Sequence, residues 1–181
     1  ADVRNAAMVS VRAGARLDAS ATNLGDAGRV IVWSDDATRF AGHAAARGGA
    51  QGGDGGLVEV SGKGYLDYRG SADLTASAGR FGTLLLDPTN ILIEASAPDI
   101  NGDGTPGDDL GPGGIDFADP GVNSRITAGA LVAQLAAGNV ELQANNNVTV
   151  NAEVNSGSAN SLTLRGGGAI AVSAPVAVGG D

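Results

Sequence analysis

The sequence predicts an all-β chain folded as a parallel β-helix, on three observations. Short doublets of the form apolar-x-apolar recur along the 181 residues at near-regular spacing. Glycine, 30 residues in all, clusters with Asn, Asp and Ser between the doublets. Aromatic residues make up only 3% of the chain although 43% is hydrophobic, so the core has to be thin and built from small and β-branched side chains.

The doublets come first. An apolar-x-apolar pair places two side chains on one face of a strand. Such pairs stand at Val9/Val11, Val30/Val32, Val58/Val60, Leu84/Leu86, Val140/Leu142 and Leu162/Leu164. Their first members lie 21, 28, 26, 56 and 22 residues apart, which reads as one period with a double step after Leu84. A second doublet follows seven or eight residues later at Leu17/Ala19, Leu66/Tyr68, Ile91/Ile93, Val148/Val150 and Ile170/Val172. The linkers between paired doublets, "SGKG", "DPTN", "ANNN" and "RGGG", are turn formers. A repeat of 20–28 residues with two or three one-faced strands is the pattern of a stacked parallel solenoid. Asn145–Asn147 is expected to form a polar stack at one corner. A β-sandwich also shows short strands between turns, but does not require such regular spacing.

Two stretches break the rhythm. "SRITAGALVAQLAAG" (Ser124–Gly138) has a Ser or Thr N-cap candidate, Ile126, Leu131, Val132 and Leu135 at helical spacing, and Gly138 as a stop. A short flanking helix near 126–137 is expected there. "APDINGDGTPGDDLGPGGIDFADPG" (Ala97–Gly121) has almost no apolar periodicity and reads as a long loop, the expected place for partner contact. The organisation expected is one continuous solenoid: coils over 1–96, an acidic loop over 97–123, the helix over 124–138, and further coils over 139–181.

Charge and composition narrow the function. A net charge of −9 argues against nucleic acid, and the eleven basic residues, with Lys63 the single lysine, form no polybasic anchor. The absence of cysteine excludes disulfides, thiolate catalysis and Cys-held metals, and suits a chain exported unfolded. No apolar run approaches the length of a membrane-spanning helix, so no stable membrane insertion is expected. The opening "ADVRNAAMVSV" lacks a signal-peptide pattern and starts on strand-like sequence, so a piece of a longer chain is expected.

The stretches "GGLVEVSGKGYLDYRG", "GTLLLDPTNILIE" and "LAAGNVELQANNNVTVNAEV" resemble the filamentous-haemagglutinin-like exoproteins of Gram-negative bacteria, the large partners of two-partner secretion systems. The resemblance covers about Val30–Val154. It implies a right-handed β-helix, passage through an outer-membrane transporter, and display or release at the cell surface as an adhesin. The asparagine-proline motifs of that family's secretion domain are missing, so the resemblance is to an internal segment.

Candidate sites are few. Asp99, Asn101, Asp103 and Thr105, with Gly104 sixth in the run, match the first half of a calcium loop. The twelfth position is Leu110 where such loops carry glutamate, and Asp108 or Asp109 would have to replace it. The alternative is a solvated acidic loop, since Asp and Asn favour turns. No cofactor other than calcium is suggested. His43 is the only histidine and is expected as an exposed turn residue, which leaves little for a hydrolytic triad or zinc site. Adjacent Asp35 and Asp36 would point to opposite faces of a continued strand, and Glu59, Asp67 and Glu141 are expected on an outward, solvated face. Trp33, Tyr65 and Tyr68 read either as a sugar platform or as packing residues. The reading is a non-catalytic segment of a secreted or surface-displayed adhesin that contacts a surface receptor or glycan. A polysaccharide-cleaving enzyme on the same scaffold and a purely structural fibre spacer are the alternatives.

Overall fold

The computed structural model describes residues 4–96 and 124–180, and every strand pairing in it is parallel. With strands numbered along the chain, the first sheet runs in space β1 (Met8–Val11), β4 (Ala37–Phe40), β7 (Tyr65–Tyr68), β11 (Ser124–Thr127), β10 (Ile91–Glu94), β13 (Val148–Val150), β16 (Ile170–Val172). The second runs β15 (Leu162–Gly166), β12 (Asn139–Ala144), β9 (Thr83–Leu86), β6 (Leu57–Gly62), β3 (Arg29–Ser34). A third holds β2 (Arg16–Asp18), β5 (His43–Ala45) and β8 (Ser71–Asp73), and a fourth pairs β14 (Val154–Ser156) with β17 (Val176–Val178).

Five of the six leading doublets meet in register. Val9/Val11 instead stacks on Thr38/Phe40 in the first sheet and Leu17 on Ala44 in the third, a correction to their expected places, because β1 and β2 belong to the walls of β4 and β5. Val30 pairs with Val58, Val58 with Leu84, Leu84 with Val140, and Val140 with Leu162. One apolar cluster draws on all the sheets, and Val58, Leu84, Leu142, Val148 and Val150 in it are fully buried. Each such side chain contributes about 1.5–3 kcal/mol on leaving water. Alternate residues face out, as the half-buried Thr83 and Leu85 do beside buried Leu84 and Leu86.

Four further features depart from the sequence reading. The 56-residue step after Leu84 encloses no missing level, because β9 and β12 are direct neighbours. The excess chain instead supplies β11, which inserts between β7 and β10 in the first sheet only. The helix α1 is Ala128–Leu135, shorter than expected, and Ser124–Thr127 is strand. Ile126 belongs to that strand because Ser124–Thr127 pairs along its length with Ile91–Glu94, and the Leu66 backbone N–H donates to Ser124 Oγ at 2.8 Å. Thr127 is the N-cap, its Oγ1 accepting from the Ala130 N–H at 3.2 Å. The helix ends three residues before Gly138.

The helix is also no mere cover. Leu131 and Leu135 are fully buried in the shared core. Gln134 reaches Ala72 of β8, while Ser158 Oγ and Asn160 Nδ2 both donate to the Leu135 carbonyl at 2.7 Å, just beyond β14. The helix thus occupies the wall between β8 and β14. Finally, Ile170 and Val172 are 46% and 54% exposed although they pair with buried Val148 and Val150. β16 ends the sheet, and no described strand lies beyond it.

Candidate functional site

The second sheet carries a carboxylate-bearing outer wall. The outward positions of its central strands align as Ile31, Glu59, Leu85, Glu141 and Thr163. Glu59 and Glu141 therefore stand two strand spacings apart, about 10 Å between backbones, with Leu85 between them. Asp87, one residue beyond β9, joins them. Burial raises the Asp87 pKa above the usual carboxylate value, and the charges of Glu59 and Glu141 push the same way against a hydrogen bond from Gln143. Gln143 Nε2 donates to Asp87 Oδ2 at 3.2 Å, while Oδ1 is buried without a partner among the described residues. Glu141 is ion-paired to Arg165, and Glu59 accepts from Ser61 Oγ at 3.1 Å. The sequence placed Glu59 and Glu141 on an outward face; Asp87 was missed because it stands in the "DPTN" corner.

Asp67 is not part of that wall. It lies in the first sheet, only 7% exposed, a correction to its expected solvated place. Three arginines surround its strand position: Arg39 lies 3.5 Å away, Arg69 Nε donates to Oδ1 at 2.8 Å, and Arg125 is its register partner on β11. Arg125 in turn is ion-paired to Glu94. A carboxylate desolvated this far needs compensating cations, and Arg39 and Arg69 supply them.

The aromatic residues do not form a platform. Tyr68 is buried, stacked on Phe40 with ring centroids 5.6 Å apart, and donates to Gln134 Oε1 at 3.2 Å. Burial raises its pKa. Trp33 belongs to the other sheet. Tyr65 is partly buried on β7, where burial, and after it Asp67, raises its pKa. His43 is on strand β5 rather than in a turn, with Nδ1 2.9 Å from Ser71 Oγ, because β5 pairs in register with both β2 and β8. Asp35 and Asp36 are exposed beyond the end of β3, so strand alternation does not apply to them.

Corners are held by side chains that reach the next level. Asn147 N–H donates to Asn90 Oδ1 at 3.3 Å, and Ala169 N–H to Asn147 Oδ1 at 2.9 Å. Asp54 N–H donates to Asp26 Oδ1 at 2.8 Å, and Arg80 N–H to Asp54 Oδ1 at 2.9 Å. That last bond, followed by the Arg80 guanidinium, holds the Asp54 pKa below the usual value. Asp18 is lowered likewise, first by the Ser20 hydroxyl and then by the Ser20 N–H.

The calcium candidates Asp99, Asn101, Asp103, Thr105, Asp108 and Asp109, with the whole Ala97–Gly121 segment, lie outside the described residues. Among the described residues no three His, Asp or Glu side chains gather closely enough to hold a metal ion, and no helix is long and apolar enough to cross a membrane. No protein-family model matches the chain, and no curated protein matches it in sequence.

Proposed function

We propose that this chain is a right-handed parallel β-helix segment of a bacterial exoprotein, secreted or displayed on the outer surface of a Gram-negative cell, acting as a non-catalytic adhesive scaffold. The observation that supports the scaffold is the parallel column Val30–Val58–Leu84–Val140–Leu162. Parallel connections within a sheet are right-handed in nearly all proteins, which supports the hand. Inward positions are committed to packing, so recognition falls to outward side chains, corners and loops. The partners in this reading are an outer-membrane transporter during export and a cell-surface receptor or glycan afterwards. The cysteine-free composition favours passage as an unfolded chain.

The test is a glycan array with a cell-binding assay on the 181-residue chain. Saturable binding without chemical change in the bound glycan supports the reading; absence of binding to every cell and glycan tried contradicts it.

One observation favours the enzyme as a second reading: Asp87, kept more protonated than an ordinary carboxylate, sits beside Glu59 and Glu141. A carboxyl of raised pKa beside a second carboxylate is the pairing used in glycoside cleavage. Release of reducing ends from a polysaccharide by the native chain and not by Asp87→Ala would establish it.

A further inference from the structure

We propose that the corner between the first and third sheets is a binding groove for a single acidic sugar unit, held by its carboxylate. Three successive turns stack there: Gly14–Ala15, Ala41–Gly42 and Arg69–Gly70. They enclose an open groove of about 270 Å³, at the small end of ligand sites and sized for one ring rather than a chain.

Two of the three turn glycines have no room for a side chain, and the third, Gly14, holds a φ of +86°. A Cβ on Gly70 would stand 2.3 Å from the Gly42 carbonyl oxygen, and one on Gly42 would stand 2.8 Å from Val11 Cγ1. Backbone bonds fix the three levels: His43 N–H donates to the Ala15 carbonyl at 2.9 Å, and Ser71 N–H to the Gly42 carbonyl at 3.1 Å.

The walls are cationic and polar. Arg16, His43 and Ser71 are register partners on β2, β5 and β8, so their side chains emerge side by side. Arg69 joins them from the adjoining corner. Arg16 is exposed and has no ion pair among the described residues. Arg69 uses Nε on Asp67, which leaves its terminal nitrogens for a ligand. Ser71 Oγ orients the His43 ring through Nδ1, turning Nε2 to other use. Among the described residues no carboxylate lines the groove. Of the carboxylates on the neighbouring strands, Asp67 is engaged by Arg69 and Arg39, Asp18 by Ser20 and Arg47, and Asp73 by Thr75 and Arg47.

Two guanidinium groups with an imidazole and a hydroxyl make an oxyanion site in a chain whose net charge is −9. Apolar lining is limited to alanine, which suits a hydroxylated ring and not a greasy anion.

The experiment titrates the isotope-labelled 181-residue chain with the methyl glycosides of N-acetylneuraminic acid and galacturonic acid, their uncharged methyl esters, and sodium acetate, following amide shifts by NMR. Saturable shifts confined to residues 14–16, 41–43 and 69–71 with at least one acid are expected, and the better acid identifies the source. The ester and Arg16→Gln should each weaken binding about tenfold or more, as loss of a charge-assisted hydrogen bond does. Arg16→Gln should melt like the native chain, and His43→Gln provides a second, independent loss. No saturable shift with either acid, equal binding of the ester, equal binding by both variants, or acetate as tight as the sugars would each overturn the proposal.

Discussion

Gln134 stands in for a β-strand opposite Ala72. Its Oε1 accepts from the Ala72 N–H at 3.0 Å and its Nε2 donates to the Ala72 carbonyl at 2.6 Å, the two bonds a neighbouring strand would make. The same Oε1 accepts from Tyr68 at 3.2 Å, and Gln134 is only 5% exposed. One side-chain amide thus closes the edge of β8 where the helix interrupts the third wall.

Gln134→Leu should therefore destabilise the fold by about 2–4 kcal/mol, since it strands two buried donors, the Ala72 N–H and the Tyr68 hydroxyl, and one buried acceptor at once. Gln134→Glu should be nearly as damaging, because a carboxylate cannot donate to the Ala72 carbonyl. Urea unfolding of both variants checks this; a loss below about 0.5 kcal/mol in each would show that β8 does not depend on the contact.

Alternation along β9 gives a second expectation. Leu86 is 3% exposed in the core, whereas Leu85 faces out between Glu59 and Glu141. Leu86→Lys should cost about 3–5 kcal/mol as an uncompensated buried charge. Leu85→Lys should change stability by about 0.5 kcal/mol or less, with two carboxylates beside it. Equal losses in thermal or urea unfolding would contradict the assigned faces.

The walls legible in the sequence were those whose inward residues are Val, Leu or Ile. The wall of β5 and β8 was not, because its inward residues are Ala44 and Ala72, which carry little periodic signal. The second doublet of the Val30 level was missed for a related reason: it is Thr38/Phe40, and Thr38 is buried with its hydroxyl bonded to Ser34 Oγ at 2.8 Å and the Ser61 carbonyl at 2.7 Å. β11 was hidden because Ile126 fits helical and strand spacing alike, and only pairing with β10 and β7 decides between them. At the outer wall, Glu59 and Glu141 followed from alternation, while Asp87 needed the corner's path in space.

Asp87 should impose a pH signature. Its folded pKa lies above the unfolded value near 3.8, so its favourable contribution is complete below that value and is lost as pH rises through the folded pKa. Asp87→Asn keeps an acceptor for Gln143 and removes the charge. It should raise the melting temperature at pH 7 and leave it unchanged at pH 3. Asp54 works in the opposite sense: its lowered pKa stabilises the fold above 3.8 and is lost on further acidification. A melting temperature at pH 7 unaltered or lowered by Asp87→Asn would contradict the assignment.

For the acidic segment, we propose that Asp99, Asn101 and Asp103, with Thr105 and Asp108 or Asp109, bind Ca²⁺ weakly. Without a twelfth-position glutamate, affinity should fall in about the 10⁻⁴–10⁻³ M range of extracellular modules. Calorimetry at millimolar Ca²⁺ should show saturable heat that Asp103→Ala removes, and a flat titration would dismiss the site.

The stacked column is tested most directly across the longest sequence step within the second sheet, between Leu85 and Glu141. These residues are register partners on β9 and β12, 56 positions apart, in a chain with no cysteine of its own. Neighbouring parallel strands place partner backbones about 4.8 Å apart, within disulfide range, whereas an intervening strand would separate them by about 10 Å and forbid the bond. The measurement is the oxidation yield of the double variant Leu85→Cys/Glu141→Cys in its folded state, read by mass spectrometry against Leu85→Cys/Thr163→Cys. The expected result is near-complete disulfide at 85/141 with native circular dichroism, and free thiols at 85/163. Free thiols at 85/141 in a folded chain, or equal yields in both variants, would contradict the column.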